Sequence, residues 1–81
     1  MALGDKGGNV KCLQTFLAGQ GSDIYPAGLV SGFYGSLTQQ AVVRFQAKYA
    51  SEILTPLGLT APTGRVGLAT LAKIKSLSLL K

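Results

Sequence analysis

The sequence predicts an all-α fold: a small three-helix bundle with long packed loops, built from a repeated turn-helix unit. Three observations carry this expectation. Apolar residues recur at three- and four-residue steps in three separate segments, the spacing of one helix face. A glycine-rich turn stands before each segment. An offset of 32 residues lines up Gly32-Phe33-Tyr34-Gly35-Ser36-Leu37-Thr38 with Gly64-Arg65-Val66-Gly67-Leu68-Ala69-Thr70, matching both glycines and the threonine. The same offset pairs Val10 with Val42 and Ile74, Leu13 with Phe45 and Leu77, and Gln14 with Gln46, although the third glutamine position is Ser78. One such helix cannot bury its apolar face alone, whereas three packed together can.

Helix one is expected from about Lys6 to Ala18, with Asp5 as its N-cap and Gly19 or Gly21 as its stop. Val10, Leu13 and Leu17 form its inward stripe, with Phe16 alongside. Helix two is expected from about Leu37 to Ala50. Ser36 caps it, Gln39 reaches back to complete a capping box, and Leu37, Ala41, Val42, Phe45 and Tyr49 share one face. Helix three begins after Gly67 and turns Leu68, Leu71, Ile74 and Leu77 inward.

The connections are long for three helices, where roughly 2–8 residues are usual. They are also apolar, with Ile24, Tyr25, Leu29 and Val30 in the first and Ile53, Leu54, Leu57, Leu59 and Val66 in the second, so they should pack on the bundle. Pro26, Pro56 and Pro62 argue against continuous helix there. Val30-Ser31 and Arg65-Val66 are read as very short extended pieces. Gly32 and Gly64 occupy turn positions that call for positive φ or close backbone approach. Gln14 and Gln46, at equivalent places, are expected to spend their amides on loop backbone, because buried polar groups must find partners.

Composition removes several functional classes. The chain has 81 residues and 47% hydrophobic content, enough for one small domain over residues 1–81. No apolar run approaches the ~18 residues of a membrane span. Met1-Ala2-Leu3 leads straight into polar, glycine-rich sequence, so no signal peptide is expected in this chain. With no histidine, a Ser-His-Asp triad, a Cys-His pair and an ordinary zinc site all drop out, and neither a metal nor a cofactor is expected. Cys12, the single cysteine, forms no intrachain disulfide and is expected as a small apolar filler at or near the core. Only Asp5, Asp23 and Glu52 could serve a two-carboxylate glycosidase; Asp5 is taken as a cap and the others lie in separate loops, so no enzyme is expected. The net charge of +5 is dispersed, not clustered beside stacking aromatics, which disfavours nucleic acid; a basic surface favours anionic partners generally, including cell-wall polymers and acidic lipids.

Three blocks in order then define a resemblance. They are Leu3-x-x-Lys6-Gly7-x-x-Val10-x-x-Leu13-Gln14-x-x-Leu17, Gly32-Phe33-Tyr34-Gly35-x-x-Thr38-x-x-Ala41-Val42-x-x-Phe45-Gln46, and Thr63-Gly64-x-Val66-Gly67-x-x-Thr70. Together, across about residues 3 to 77, they resemble the peptidoglycan-binding domain family, the three-helix module found beside catalytic domains of many bacterial and phage cell-wall hydrolases. The sequence departs from that family at Ser31, where an aspartate usually precedes the central turn, and in a longer Ser51–Pro62 link. Ser31 can still bond a nearby backbone N–H, but no ligand role of the family's aspartate transfers to it.

The resemblance implies a non-catalytic module that binds peptidoglycan, both glycan and stem peptide, and anchors a fused or associated cell-wall hydrolase in the wall or periplasm. Where the central turn meets helix two, Phe33 or Tyr34 would be the aromatic platform, Gln39 and Gln40 the amide partners, and Arg44 the carboxylate partner. The plainer readings are that one of the two rings covers the core and that Arg44 and Lys48 are solvated helix charges. The alternative function is a helical protein-interaction or propeptide-like module with no polysaccharide ligand. The prodomains of matrix metalloproteinases share the architecture, but their cysteine-switch motif is missing here.

Overall fold

The computed structural model describes residues 1–79, with side chains as far as Leu77. Lys81 and the side chain of Ser78 fall outside the described residues. The elements are α1 (Gly8–Gly19), α2 (Ser36–Lys48), a one-turn α3 (Ala50–Ile53), a 3-10 turn (Thr55–Leu57) and α4 (Leu68–Leu79). Three long helices thus follow three glycine turns, as the repeat requires.

Neither expected side-chain cap forms. Helix α1 starts two residues later than Lys6, behind Gly7 at φ 127°, and no side chain caps it. Lys6 instead makes an antiparallel bridge with Phe33. The Tyr34 N–H donates to the Asp5 carbonyl at 2.8 Å and the Gly7 N–H to the Gly32 carbonyl at 2.9 Å, which ties the N-terminal segment to the central turn. The Asp5 carboxylate accepts from the Ala2 N–H at 3.0 Å, so it orders the segment before the helix and not the helix itself. At α2, Ser36 is the first helical residue behind Gly35, and again no side chain caps. The capping box is absent: Ser36 is already helical, one position too late to cap, and the Gln39 side chain lies against Gly64, whose Cβ position would fall 3.0 Å from Gln39 Cγ.

Helix two does not continue unbroken to Ala50. Tyr49 leaves helical geometry at φ −112°, ψ 36°, and the chain restarts as α3. Pro56 then sits in the first turn of the 3-10 segment, where its missing N–H does no harm, and Gly58 closes that segment in the left-handed region at φ 70°. The short extended pieces expected at Val30-Ser31 and Arg65-Val66 are not strands; Val66 trades backbone hydrogen bonds with Met1, at 2.8 and 3.1 Å.

Between α1 and α2 the core holds Val10, Leu13 and Leu17 against Ala41, Val42 and Phe45, all nearly inaccessible. Ile24 and Tyr25 close it from the first connection, Ile53 and Leu54 from α3 and its end, and Tyr34 and Val66 from the two turns. Phe45 anchors the centre, edge-on to Phe16 at 5.5 Å and tilted on Tyr49 at 5.0 Å. Burial of each such side chain contributes about 1.5–3 kcal/mol. Helix α4 packs on α3, and Lys73 secures it by pairing with Glu52 at 2.9 Å and covering the Tyr49 ring.

Several expected core positions lie outside. Leu37 is half exposed and Leu68 is 88% exposed, whereas Thr38 and Thr70 in the same first turns face inward onto Gln14 and Gln46. Leu71, Ile74 and Leu77 are partly buried against the core. The connections pack only in part: Leu29, Val30, Leu57 and Leu59 face solvent. Cys12 is exposed, off the Val10-Leu13-Leu17 stripe, and is not a core filler.

Candidate functional site

The two glutamines build the site's framework. Gln14 Oε1 accepts from the Gly32 N–H at 2.8 Å, while its Nε2 donates to the Phe33 carbonyl at 2.9 Å and to Thr38 Oγ1 at 3.0 Å. Gln46 repeats this set: Oε1 accepts from Gly64 N–H at 3.0 Å, and Nε2 donates to the Arg65 carbonyl at 2.7 Å and Thr70 Oγ1 at 3.0 Å. Ser31 and Thr63 each accept from the N–H two residues on, at 3.2 Å in both turns. Every partner in the second set is the first set's residue plus 32. The glycines at the apices sit at φ 82° and 75°, the conformation both turns require. Each buried amide, carried on the helix before the turn, ties the turn's backbone to that helix and, through Thr38 or Thr70, to the first turn of the next.

Around the first of these corners the expected binding residues divide. Tyr34 is fully buried, and its hydroxyl donates to the Gly64 carbonyl at 2.7 Å, so it links the two turns and is no platform. Burial, with a smaller contribution from the Asp5 charge, pushes its phenol up to about 12. Phe33 is the exposed ring, half open to solvent. It lines a depression of about 280 Å³ with Ser31, Gly35, Leu37 and Thr38.

Gln39, Gln40 and Arg44 come together elsewhere. With Val43 they border a shallow depression of about 340 Å³ on the outer face of α2. Gln39 and Val43, and Gln40 and Arg44, are four apart, and Gln40 and Val43 three, the spacings at which helix side chains are neighbours, so this grouping follows from α2 itself. Gln40 and Arg44 are exposed and Gln39 half-buried. Arg44 is partly tethered, since its Nη1 donates to the Ile24 carbonyl at 3.3 Å, and the rest of its guanidinium fork stays available. The platform and the polar cluster therefore flank the start of α2 in separate depressions.

A third, larger depression of about 540 Å³ lies at the second corner, lined by Asp5, Arg65 and Leu57 among others. Motif reading passed over it. The 32-residue offset was the available signal, because it puts Arg65 where Phe33 stands. Among the described residues no group of three or more acidic, histidine or cysteine side chains could hold a metal ion.

A small helical bundle with two glutamine-clamped turns and shallow polar depressions has the form of a recognition module. A family model described as "Putative peptidoglycan binding domain" matches residues 6–53, more than half of the chain. The chain belongs to this peptidoglycan-binding domain family. Neither the curated proteins nor the solved structures contain a match to it. No helix among the described residues is long and apolar enough to cross a membrane.

Proposed function

We propose that this chain is a non-catalytic module that binds peptidoglycan and anchors a fused or associated hydrolase on the bacterial cell wall, outside the cytoplasm. Family membership is the observation that carries the proposal. The Gln39–Arg44 depression supplies suitable chemistry: two amides for sugar hydroxyls and peptide groups, a guanidinium for a stem-peptide carboxylate, and Val43 as an apolar contact. Phe33 offers a ring face nearby. Weak affinity is sufficient, because a polymer covering the cell presents many sites and tethering raises the enzyme's effective concentration. The non-catalytic reading draws on membership of a binding family, and one of the three carboxylates, Glu52, is already paired with Lys73.

The test is co-sedimentation of the full chain with purified sacculi, against chitin and cellulose. Retention on sacculi alone, persisting at moderate salt, is expected. Arg44→Gln should weaken it by roughly tenfold, the effect of one charge-assisted hydrogen bond. Retention on none of the three polymers would replace this reading with the interaction-module alternative. Retention that vanishes with salt would reduce it to charge attraction, which is screened beyond about 10 Å at 0.1 M.

A further inference from the structure

The repeat produces two corners with the same turn hydrogen bonds but different contents. Lining positions correspond at the 32-residue offset: Gln14, Tyr25, Phe33 and Thr38 in the first, Gln46, Leu57, Arg65 and Thr70 in the second. In the first corner the Tyr25 ring is buried, with its hydroxyl bonded to the Leu29 carbonyl, and it fills the space. Its counterpart Leu57 is 59% exposed, and the second corner holds a depression of about 540 Å³ against about 280 Å³ in the first.

The second corner carries charge of both signs beside aliphatic side chains. Leu54, Leu57 and Leu59 line it together with Arg65 and Asp5. Asp5 and Arg65 are not joined to each other, since the one ion pair among the described residues is Lys73–Glu52. The Arg65 side chain is exposed, and its main chain alone is engaged, through Gln46 and Thr63. Asp5 uses Oδ2 for the Ala2 N–H and keeps further acceptor capacity. Two unlike charges lining one depression with aliphatic side chains, each free to bond outward, complement a short aliphatic chain that ends in an ammonium and a carboxylate.

We infer that the second corner binds the zwitterionic end of a diamino-acid side chain in a stem peptide, with Arg65 on the carboxylate and Asp5 on the ammonium. This assignment rests on the peptidoglycan-binding reading and gives the module a second contact, remote in sequence from Gln39–Arg44. Most of this corner lies beyond the residues matched by the family model. The two contacts could engage one polymer together, so that each strengthens the other's retention.

The test is an amide-resolved NMR titration of the full chain with soluble disaccharide-tripeptide fragments whose third residue has a free side-chain amine and carboxylate. Saturable shifts are expected at Thr63–Thr70 and around Asp5. Arg65→Gln, Asp5→Asn, amidation of the fragment's carboxylates and acetylation of its amine should each weaken them about tenfold or more. Both side chains are exposed, so the variants' spectra should otherwise match the parent and sacculus retention should survive in part. Shifts confined to Gln39–Arg44, with sacculus binding intact, would overturn this inference and spare the anchoring function. A loss in Arg65→Gln without one in Asp5→Asn would also overturn it, because a plain carboxylate site has no use for Asp5. Absence of both shifts and sacculus retention would overturn the two readings together.

Discussion

Tyr34 shows how much one buried hydroxyl carries in this chain. Its ring sits at the junction of both turns, and its proton is held by the Gly64 carbonyl at 2.7 Å. With the folded-state phenol pushed up to about 12 from an ordinary 10, both states keep the proton below pH 10, and the full stabilisation is present there. Between pH 10 and 12 the unfolded chain releases the proton first, so stability falls as pH rises, by up to about 2–3 kcal/mol. Tyr34→Phe should therefore lose about 1 kcal/mol at neutral pH, from the missing hydrogen bond, yet show a shallower alkaline decline than the parent. Urea unfolding of both proteins from pH 7 to 11.5 checks this; lysine titration is common to both and subtracts. Parallel curves would mean the phenol is not responsible. The sequence narrowed the aromatic platform to Phe33 or Tyr34 but could not choose, because neighbouring turn residues point oppositely and only the packing decides which ring goes inward. Gln14 and Gln46 were legible, since two glutamines at one repeat offset, each on an apolar stripe, must bond to something inside.

At the scale of elements, the start of α2 is a glycine turn clamped by Gln14 and that of α1 is Gly7 held through its N–H on the Gly32 carbonyl, and neither uses a capping side chain. This explains why Asp5 and Ser36 misled: cap signatures describe local competition for N–H groups, whereas these turns are held from elsewhere in the chain. In place of its expected box, Gln39 makes a tertiary contact with Gly64, a residue 25 positions away. That contact is also a point of weakness. Gly64 combines φ +75° with a would-be Cβ position 3.0 Å from Gln39 Cγ and 3.4 Å from Val43 Cγ2. Gly64→Ala should cost about 1–3 kcal/mol through left-handed strain and displacement of Gln39. Gly19→Ala, in open space without positive φ, should be neutral or gain up to about 1 kcal/mol. The shift in urea midpoint for the two variants checks the contrast, and equal effects would locate the strain elsewhere. Chemical shifts of Gln39 and Gln40 should change in the first variant only, because the second corner abuts the polar cluster of α2 through this contact.

For the whole molecule, the question is whether the family-matched span, residues 6–53, is a folding unit without the C-terminal part of the chain. Its helices α1 and α2 and the first corner are complete within it. Its hydrogen bonds nevertheless argue against independence. Gln46 is buried on α2, but all its amide partners, Thr63, Gly64, Arg65 and Thr70, come later in the chain. Tyr34 likewise depends on Gly64, and Val66 with the inner face of α4 completes the core cluster. A chain ending at Ile53 would leave one amide and one phenol buried without partners, at about 1–3 kcal/mol each, or would open the core to hydrate them. It would also fall to a length at which a single core is only marginal. Residues 1–53 should therefore give a poorly dispersed amide spectrum and no cooperative melt, whereas residues 1–81 should melt in a single transition, as one domain would. Adding a peptide of residues 60–79 in trans should restore dispersion if the missing partners are the cause. A cooperative melt of 1–53 alone would show that the first corner is an independent unit and that the repeat is two modules joined, not one domain closed on itself.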